Sequence, residues 1–275
     1  MPDLELRLNK DVLTVAPLIT WQLLDLDVDD NECLEYLNIL DDELIQETHR
    51  RYKLAGANCT PTNTLRANRT ALQQHGLADA LVDINRRGVR LAREAGFEHI
   101  LATVGLADPE VLSEQVAALL SENPDALWLV GEAEADELNA AISSIKAQTS
   151  LPLIAAAARE SSKTADAASA NAPSKTERAD IIYAMGKPLQ ESLEELRSML
   201  QRYTEPLMIC PSINTPEGAT EKQRTMALNQ LVDDMADFTL EARALGAQFI
   251  GTAPGSSPVL TGSASVVLNY LPYDR

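Results

Sequence analysis

Short apolar runs alternate with longer amphipathic stretches along most of the chain. Val12 to Ala16 reads as a strand, and an acidic loop with Asp25, Asp27, Asp29, Asp30 and Glu32 follows. From Asp41, the positions Leu44, Ile45, Thr48 and Tyr52 recur at helical spacing up to Gly56, a suitable stop. Gly56 to Pro61 is the second strand. Leu65 to Gly96 holds helical material in two pieces, broken near Gly76. His99 to Val104 is a strand, Pro109 to Leu120 a helix, Ala126 to Val130 a strand and Ala135 to Ala147 a helix. Leu151 to Ala156 is the fifth strand. The segment from Ala157 to Arg178 is rich in Ser, Ala and Lys and almost without large apolar residues, which predicts an abbreviated crossover. Asp180 to Tyr183, Pro206 to Cys210 and Gln248 to Gly251 complete the strands. Leu189 to Leu200, Thr220 to Leu245 and Pro258 to Tyr270 complete the helices.

Strands that alternate with helices pair in parallel through right-handed crossovers. Eight such units in about 250 residues predict an α/β fold, a single closed (β/α)8 TIM barrel occupying residues 1–275 as one domain. An open, doubly wound sheet is the runner-up. No Gly-x-Gly-x-x-Gly follows a strand, so its dinucleotide-binding version lacks support.

Charge narrows the partners. The 275 residues carry 23 Lys and Arg against 41 Asp and Glu, a formal net charge of −18. That balance argues against nucleic acid and anionic membrane surfaces, both of which need a basic face. The N-terminus shows no basic region followed by an apolar run, and no stretch approaches the roughly 18 to 20 apolar residues of a spanning helix. A cytoplasmic protein is the expectation. Cys33, Cys59 and Cys210 lie far apart, so neither a disulfide framework nor a zinc knuckle is indicated. Much of the acid falls between Asp25 and Asp42 and on helix faces such as Glu191, Glu194 and Glu195. A homodimer is the expected assembly.

In such a barrel, chemistry sits at the carboxyl ends of the strands. Thr62-Asn63-Thr64 follows strand two and offers two hydroxyls and an amide to a carboxylate or amine, or else caps the next helix. Glu132 follows strand four and suits an ammonium group or a general base. Met185 after strand six, Cys210 and Asn214 around the end of strand seven, and Gly251 and Thr252 at the end of strand eight would line the mouth. Gly255 and Ser256, with Ser257, could present backbone N–H groups to an anion at the start of the last helix. No two of His49, His75 and His99 have ligand spacing, and His49 is expected on a solvated helix face. Cys59 should point into the barrel wall below the mouth. No metal site and no catalytic residue is assigned from the residues alone.

The stretch ETHRRYKLAGANCTPTNTLRAN, Glu47 to Asn68, resembles the second βα unit of the homocysteine S-methyltransferases. His49, Tyr52, Ala55, Gly56, Ala57, Thr62, Asn63 and Thr64 match that motif in spacing. INRRGVRLAREAG from Ile84, EQVAALL from Glu114, Glu132-x-x-x-Asp136 and ARALGAQFIGTAPGSSPVL near the end add further matches. The resemblance implies a barrel, a small amino-acid-like ligand at Thr62, Asn63, Thr64 and Glu132, and methyl transfer to a thiol held by zinc. It also implies three zinc cysteines, one after strand six and an adjacent pair after strand eight. Met185 stands at the first position, and Ala253 and Pro254 at the pair. The family's Asp-Gly-Ala-Met-Gly-Thr opening after strand one is replaced by Ala16 to Trp21, and the threonine after Glu132 by Ala133.

The expectation is therefore a divergent, methyltransferase-like barrel without the family's zinc. Within one barrel there is no room for a folate or corrinoid domain. A methyl donor would be a small sulfonium compound or a separate corrinoid carrier protein. A non-catalytic barrel that binds a small ligand or a partner protein is the alternative, as is a different reaction on an anionic ligand.

Overall fold

A computed structural model describes residues 4–8, 10–24, 32–157, 179–213 and 221–270. The acidic stretch Asp25 to Asp30, all but the first residue of the Ala157 to Arg178 segment, and Asn214 lie outside the described residues.

Eight parallel strands close on themselves in chain order. They are β1 (Leu13–Val15), β2 (Cys59–Pro61), β3 (His99–Gly105), β4 (Ala126–Val130), β5 (Leu153–Ala156), β6 (Ile181–Met185), β7 (Leu207–Cys210) and β8 (Phe249–Gly251). β1 pairs with β2 through Val15 and Cys59, and with β8 through Leu13 and Phe249, which seals the ring. The helices are α1 (Leu4–Leu8), α2 (Ile19–Leu24), α3 (Leu37–Leu40), α4 (Asp42–Leu54), α5 (Arg69–Gln73), α6 (Leu81–Glu94), α7 (Pro109–Leu120), α8 (Ala135–Lys146), α9 (Leu189–Arg202), α10 (Glu221–Leu245) and α11 (Pro258–Tyr270). The fold is thus the (β/α)8 barrel that the alternating pattern predicts, and the open sheet is excluded. No helix among the described residues is long and apolar enough to cross a membrane.

α1, α2 and α3 have no counterpart in the sequence pattern, which leaves Pro17 to Gln22 as loop. Elements of five, six and four residues are too short to display a 3.6-residue period. The break predicted near Gly76 does separate α5 from α6.

Alternation along each strand sorts the core into two shells. Leu13, Leu101, Trp128, Ile154, Ile181, Tyr183, Met208 and Phe249 fill the barrel. Ile100, Ala102, Leu127, Leu129, Leu153 and Ile182 face outward and pack beneath the helices. Leu4 of α1 joins the inner cluster, and Arg7 on the same helix pairs with Asp11 (2.7 Å) and Glu98 (2.5 Å). Helix starts are fixed by side chains: Asp41 accepts the Leu44 N–H at 3.1 Å, and Asn68 accepts the Ala71 N–H at 2.9 Å. Gly56, with φ +94°, ends the turn between α4 and β2. A Cβ there would lie 2.2 Å from the Ser265 hydroxyl, which donates to the Gly56 carbonyl at 3.0 Å and ties α11 to this turn.

His49 is fully buried, not solvated as expected. Ile45, Thr48, His49 and Tyr52 form one helical stripe, and that stripe is the face α4 turns to the barrel. Its Nδ1 lies 3.0 Å from the Thr60 hydroxyl, and its ring meets Phe97 edge-on at 6.0 Å. Burial pushes its pKa down to about 3. Between about pH 6.5 and pH 3 the unfolded chain therefore binds a proton that the folded chain refuses, so stability falls as the pH drops. Moving from pH 7 to pH 5 should cost about 2 kcal/mol through this one group. Urea titrations of the wild type and His49→Gln at both values check it: the variant should lose about that much less, and equal losses would sink the assignment.

Candidate ligand site at the barrel mouth

The loop after β2 enters the mouth as a fully buried polar segment. Thr62, Asn63 and Thr64 are each 1% exposed or less, so every polar atom among them needs a partner. The Thr62 and Thr64 hydroxyls lie 2.6 Å apart. The Thr62 oxygen accepts the Thr103 N–H at 3.0 Å, and the Thr64 hydroxyl donates to the Thr103 carbonyl at 2.7 Å. The Thr103 hydroxyl donates to the Thr62 carbonyl at 2.7 Å. The Asn63 amide donates to the Leu34 carbonyl at 2.8 Å and to Asn38 Oδ1 at 3.2 Å, while its oxygen accepts the Thr20 hydroxyl at 3.2 Å. Asn38 returns a bond to the Asn63 carbonyl at 2.8 Å, and Gln115 of α7 donates to the Thr64 carbonyl at 2.6 Å. The cap of α5 is Asn68, so the helix-cap alternative for Thr62 to Thr64 does not hold.

Glu35 closes the same corner. It is buried, accepts the Arg66 N–H at 2.9 Å, and has its carboxyl raised above the usual range by burial. Gly88 of α6 makes this packing possible. A Cβ there would lie 2.6 Å from the Thr64 methyl and 2.8 Å from the Asn38 amide.

The opposite side of the mouth is built by β4, β6, β7 and β8. Glu132 is exposed just after β4. Next to it, the Gly131 N–H donates at 3.1 Å to the hydroxyl of Tyr183, a β6 residue whose ring stands edge-on to Trp128 at 5.6 Å. Burial holds the Tyr183 phenol up at about 12, with nearby Glu132 raising it further. Met185 is half-buried and pairs in register with Cys210. Cys210 is buried, and a Cβ on Gly251 would fall 2.8 Å from its sulfur, so these two residues are in contact. Burial pushes the Cys210 thiol up to about 12 and the Cys59 thiol higher still, which keeps both protonated at neutral pH. Cys59 lies in the inner wall.

After β8, Thr252 is buried and its hydroxyl has no hydrogen-bond partner among the described residues. Gly255 is exposed with φ +84°. Ser256 is buried; its N–H donates to the Ala253 carbonyl at 3.3 Å. Its carbonyl takes the Tyr52 hydroxyl at 2.7 Å and the Gln22 amide at 3.2 Å. The structure thus gathers Met185, Cys210 and Gly251 at adjoining strand ends, and sets Glu132 beside Tyr183. Thr62, Asn63 and Thr64 stand apart in a network of their own. Tyr183, Trp128 and Thr103 escaped the sequence reading, which considered strand ends and not inward positions one or two residues deeper. Period-two counting back from Met185 and Val130 would have pointed to Tyr183 and Trp128. Among the described residues, no group of three His, Cys, Asp or Glu side chains converges to hold a metal ion.

Fold and mouth together define a (β/α)8 barrel of the type that carries its ligand chemistry on strand-end loops. The chain matches the family model described as homocysteine S-methyltransferase over residues 14–259 and belongs to that family. It is 23% identical to a methionine synthase of Mycobacterium tuberculosis, over 86% of this chain and 23% of that protein. A methionine synthase of Mycobacterium leprae shares 36% identity over 66 residues, 24% of this chain and 6% of that protein. The chain therefore spans about a quarter or less of the curated relatives it matches. In structure it resembles the homocysteine methyltransferase MmuM from Escherichia coli in its metallated form, with a TM-score of 0.73 at 17% identity, covering 96% of this chain and 99% of that one.

The close approach at Gly88 is open to test. Gly88→Ala should destabilise the protein by about 1–3 kcal/mol in urea unfolding, because the new methyl overlaps a packed, hydrogen-bonded layer. Gly262→Ala, where the nearest atoms would be 3.7 and 3.9 Å away, is the control and should be neutral or slightly stabilising. Equal effects at the two sites would remove the argument.

Proposed function

We propose that this chain is a divergent homocysteine S-methyltransferase-like barrel that holds a small amino-acid-like ligand at its mouth without the family's zinc. The observation that carries this reading is the residue set at the three positions where the family resemblance puts zinc cysteines. Met185 offers a half-buried thioether, and Ala253 and Pro254 offer no coordinating atom. The neighbouring Cys210 is a buried thiol, a single sulfur where a tetrahedral site needs three or four protein donors. These residues do not fit a tetrahedral zinc site.

What remains is machinery for recognition. Glu132 is an exposed carboxylate at the mouth, suited to a ligand ammonium group. The buried Thr62-Asn63-Thr64 loop supplies a rigid polar wall. Met185, Cys210, Asn214, Gly251, Thr252, Gly255 and Ser256 are the proposed rim, of which Asn214 lies outside the described residues. Methyl transfer in such a site draws its methyl group from an external donor, either a small sulfonium compound or a separate corrinoid protein.

The test is metal analysis of purified protein together with calorimetric titration of L-homocysteine and L-methionine. Zinc should be well below one equivalent per chain, and at least one of the two amino acids should bind. Glu132→Ala should weaken that binding about tenfold or more, equivalent to about 1.4 kcal/mol. One equivalent of tightly held zinc would overturn the metal-free reading, and silence towards both amino acids would overturn the ligand class.

A further inference from the structure

We propose that the Tyr183 hydroxyl and the Trp128 indole N–H form a paired donor that receives the carboxylate of a zwitterionic amino-acid ligand whose ammonium group lies at Glu132. This rests on the amino-acid reading above and adds the residues that would set its specificity.

Both side chains belong to the cluster that fills the barrel, and they are 4% and 1% exposed. They contact each other edge to face, with rings 5.6 Å apart at 78°. Trp128 Nε1 is a donor only, and among the described residues nothing accepts its proton. Tyr183 accepts the Gly131 N–H at 3.1 Å, which pins the phenol oxygen to the carboxyl end of β4 and leaves the phenol's own proton to donate. No described residue takes that proton. Two buried donors in one aromatic pair, both without an acceptor among the described residues, call for a partner rich in lone pairs.

The neighbourhood selects which acceptor. Glu132 lies close enough to Tyr183 to raise its pKa. A bare anion at the aromatic pair would be repelled by that carboxylate. A ligand that carries an ammonium group beside its own carboxylate satisfies both demands. A metal or organic cation without an acceptor group would leave both donors unmet. Because the phenol titrates only near 12, it remains a donor across the neutral range.

The experiment is calorimetric titration of the full chain with L-methionine and with 3-(methylthio)propylamine, which is methionine without its carboxylate. Tyr183→Phe keeps the ring and removes the donor. It should bind L-methionine about 10 to 100-fold more weakly, with unchanged affinity for the amine. In a Trp21→Phe background the single remaining indole N–H resonance, from Trp128, should shift with L-methionine and stay in place with the amine. Trp128→Phe should reproduce the selective loss, which guards against a folding defect particular to one variant. Unchanged methionine affinity in Tyr183→Phe would overturn the proposal while leaving the amino-acid reading intact. So would equal losses for both ligands, the mark of a structural role. A wild type that binds no amino acid would overturn both.

Discussion

Three consecutive residues, Thr62, Asn63 and Thr64, are buried at the point where β2 ends, and a buried polar group without a partner costs about 1–3 kcal/mol. That constraint organises half of the mouth. Asn63 draws in the turn at Leu34 and the side chain of Asn38; Thr64 draws in Gln115 from α7. Asn38 reaches Asn63 only because α6 presents a glycine at position 88. β3, α3 and α7 each supply a hydrogen-bond partner to this loop, and α6 supplies the glycine that lets α3 approach it.

The two sides of the mouth differ in what they leave over. On the β2 and β3 side, the donors of Asn63 and the hydroxyls of Thr62, Thr64 and Thr103 are engaged within the protein. On the β4 and β6 side, the phenol proton of Tyr183 and the indole of Trp128 have no protein acceptor among the described residues. Thr103 and Trp128 are register partners on adjacent strands, so the change from engaged to unengaged donors occurs across a single strand pair. A rigid wall next to unmet donors is the arrangement expected of a binding site, since preorganised groups lose little freedom when a ligand arrives.

The barrel itself was legible because its signal is redundant. Eight runs such as HILATV and ALWLV, all but the fifth followed by an amphipathic stretch, repeat one message, and a misjudged boundary changes nothing. The Thr62-Asn63-Thr64 motif was visible as a unit, yet its hydrogen bonds depend on Leu34, Asn38 and Gln115, which are remote in sequence and carry no local mark. His49 was misplaced because its charged neighbours Glu47, Arg50 and Arg51 suggest solvent, while its spacing from Ile45 and Tyr52 sets it on the buried stripe. Periodicity outranks composition on a short helix. Tyr183 and Trp128 read as ordinary strand residues, because only a closed barrel gives an inward position a shared interior to face.

On the reading proposed above, the family frame and the positions of the family's zinc chemistry occupy different parts of this chain, so one can persist while the other changes. The side chains that hold the barrel closed are Leu13, Val15, Met208, Phe249 and their inward neighbours. Met185, Ala253 and Pro254 stand at strand ends and loops, and Ala253 enters the fold through its backbone, donating its N–H to the Pro211 carbonyl at 2.9 Å. A backbone bond is indifferent to whether its side chain is a methyl or a thiol. Substitution at such a position removes a coordinating atom without opening a cavity in the core. Side chains set into the interior wall are bound by the opposite rule. Tyr183 packs on Trp128 and pins Gly131, so altering it disturbs the wall as well as the site. Under that proposal, ligand recognition is coupled to the stability of the barrel, and activation of a bound thiol is not.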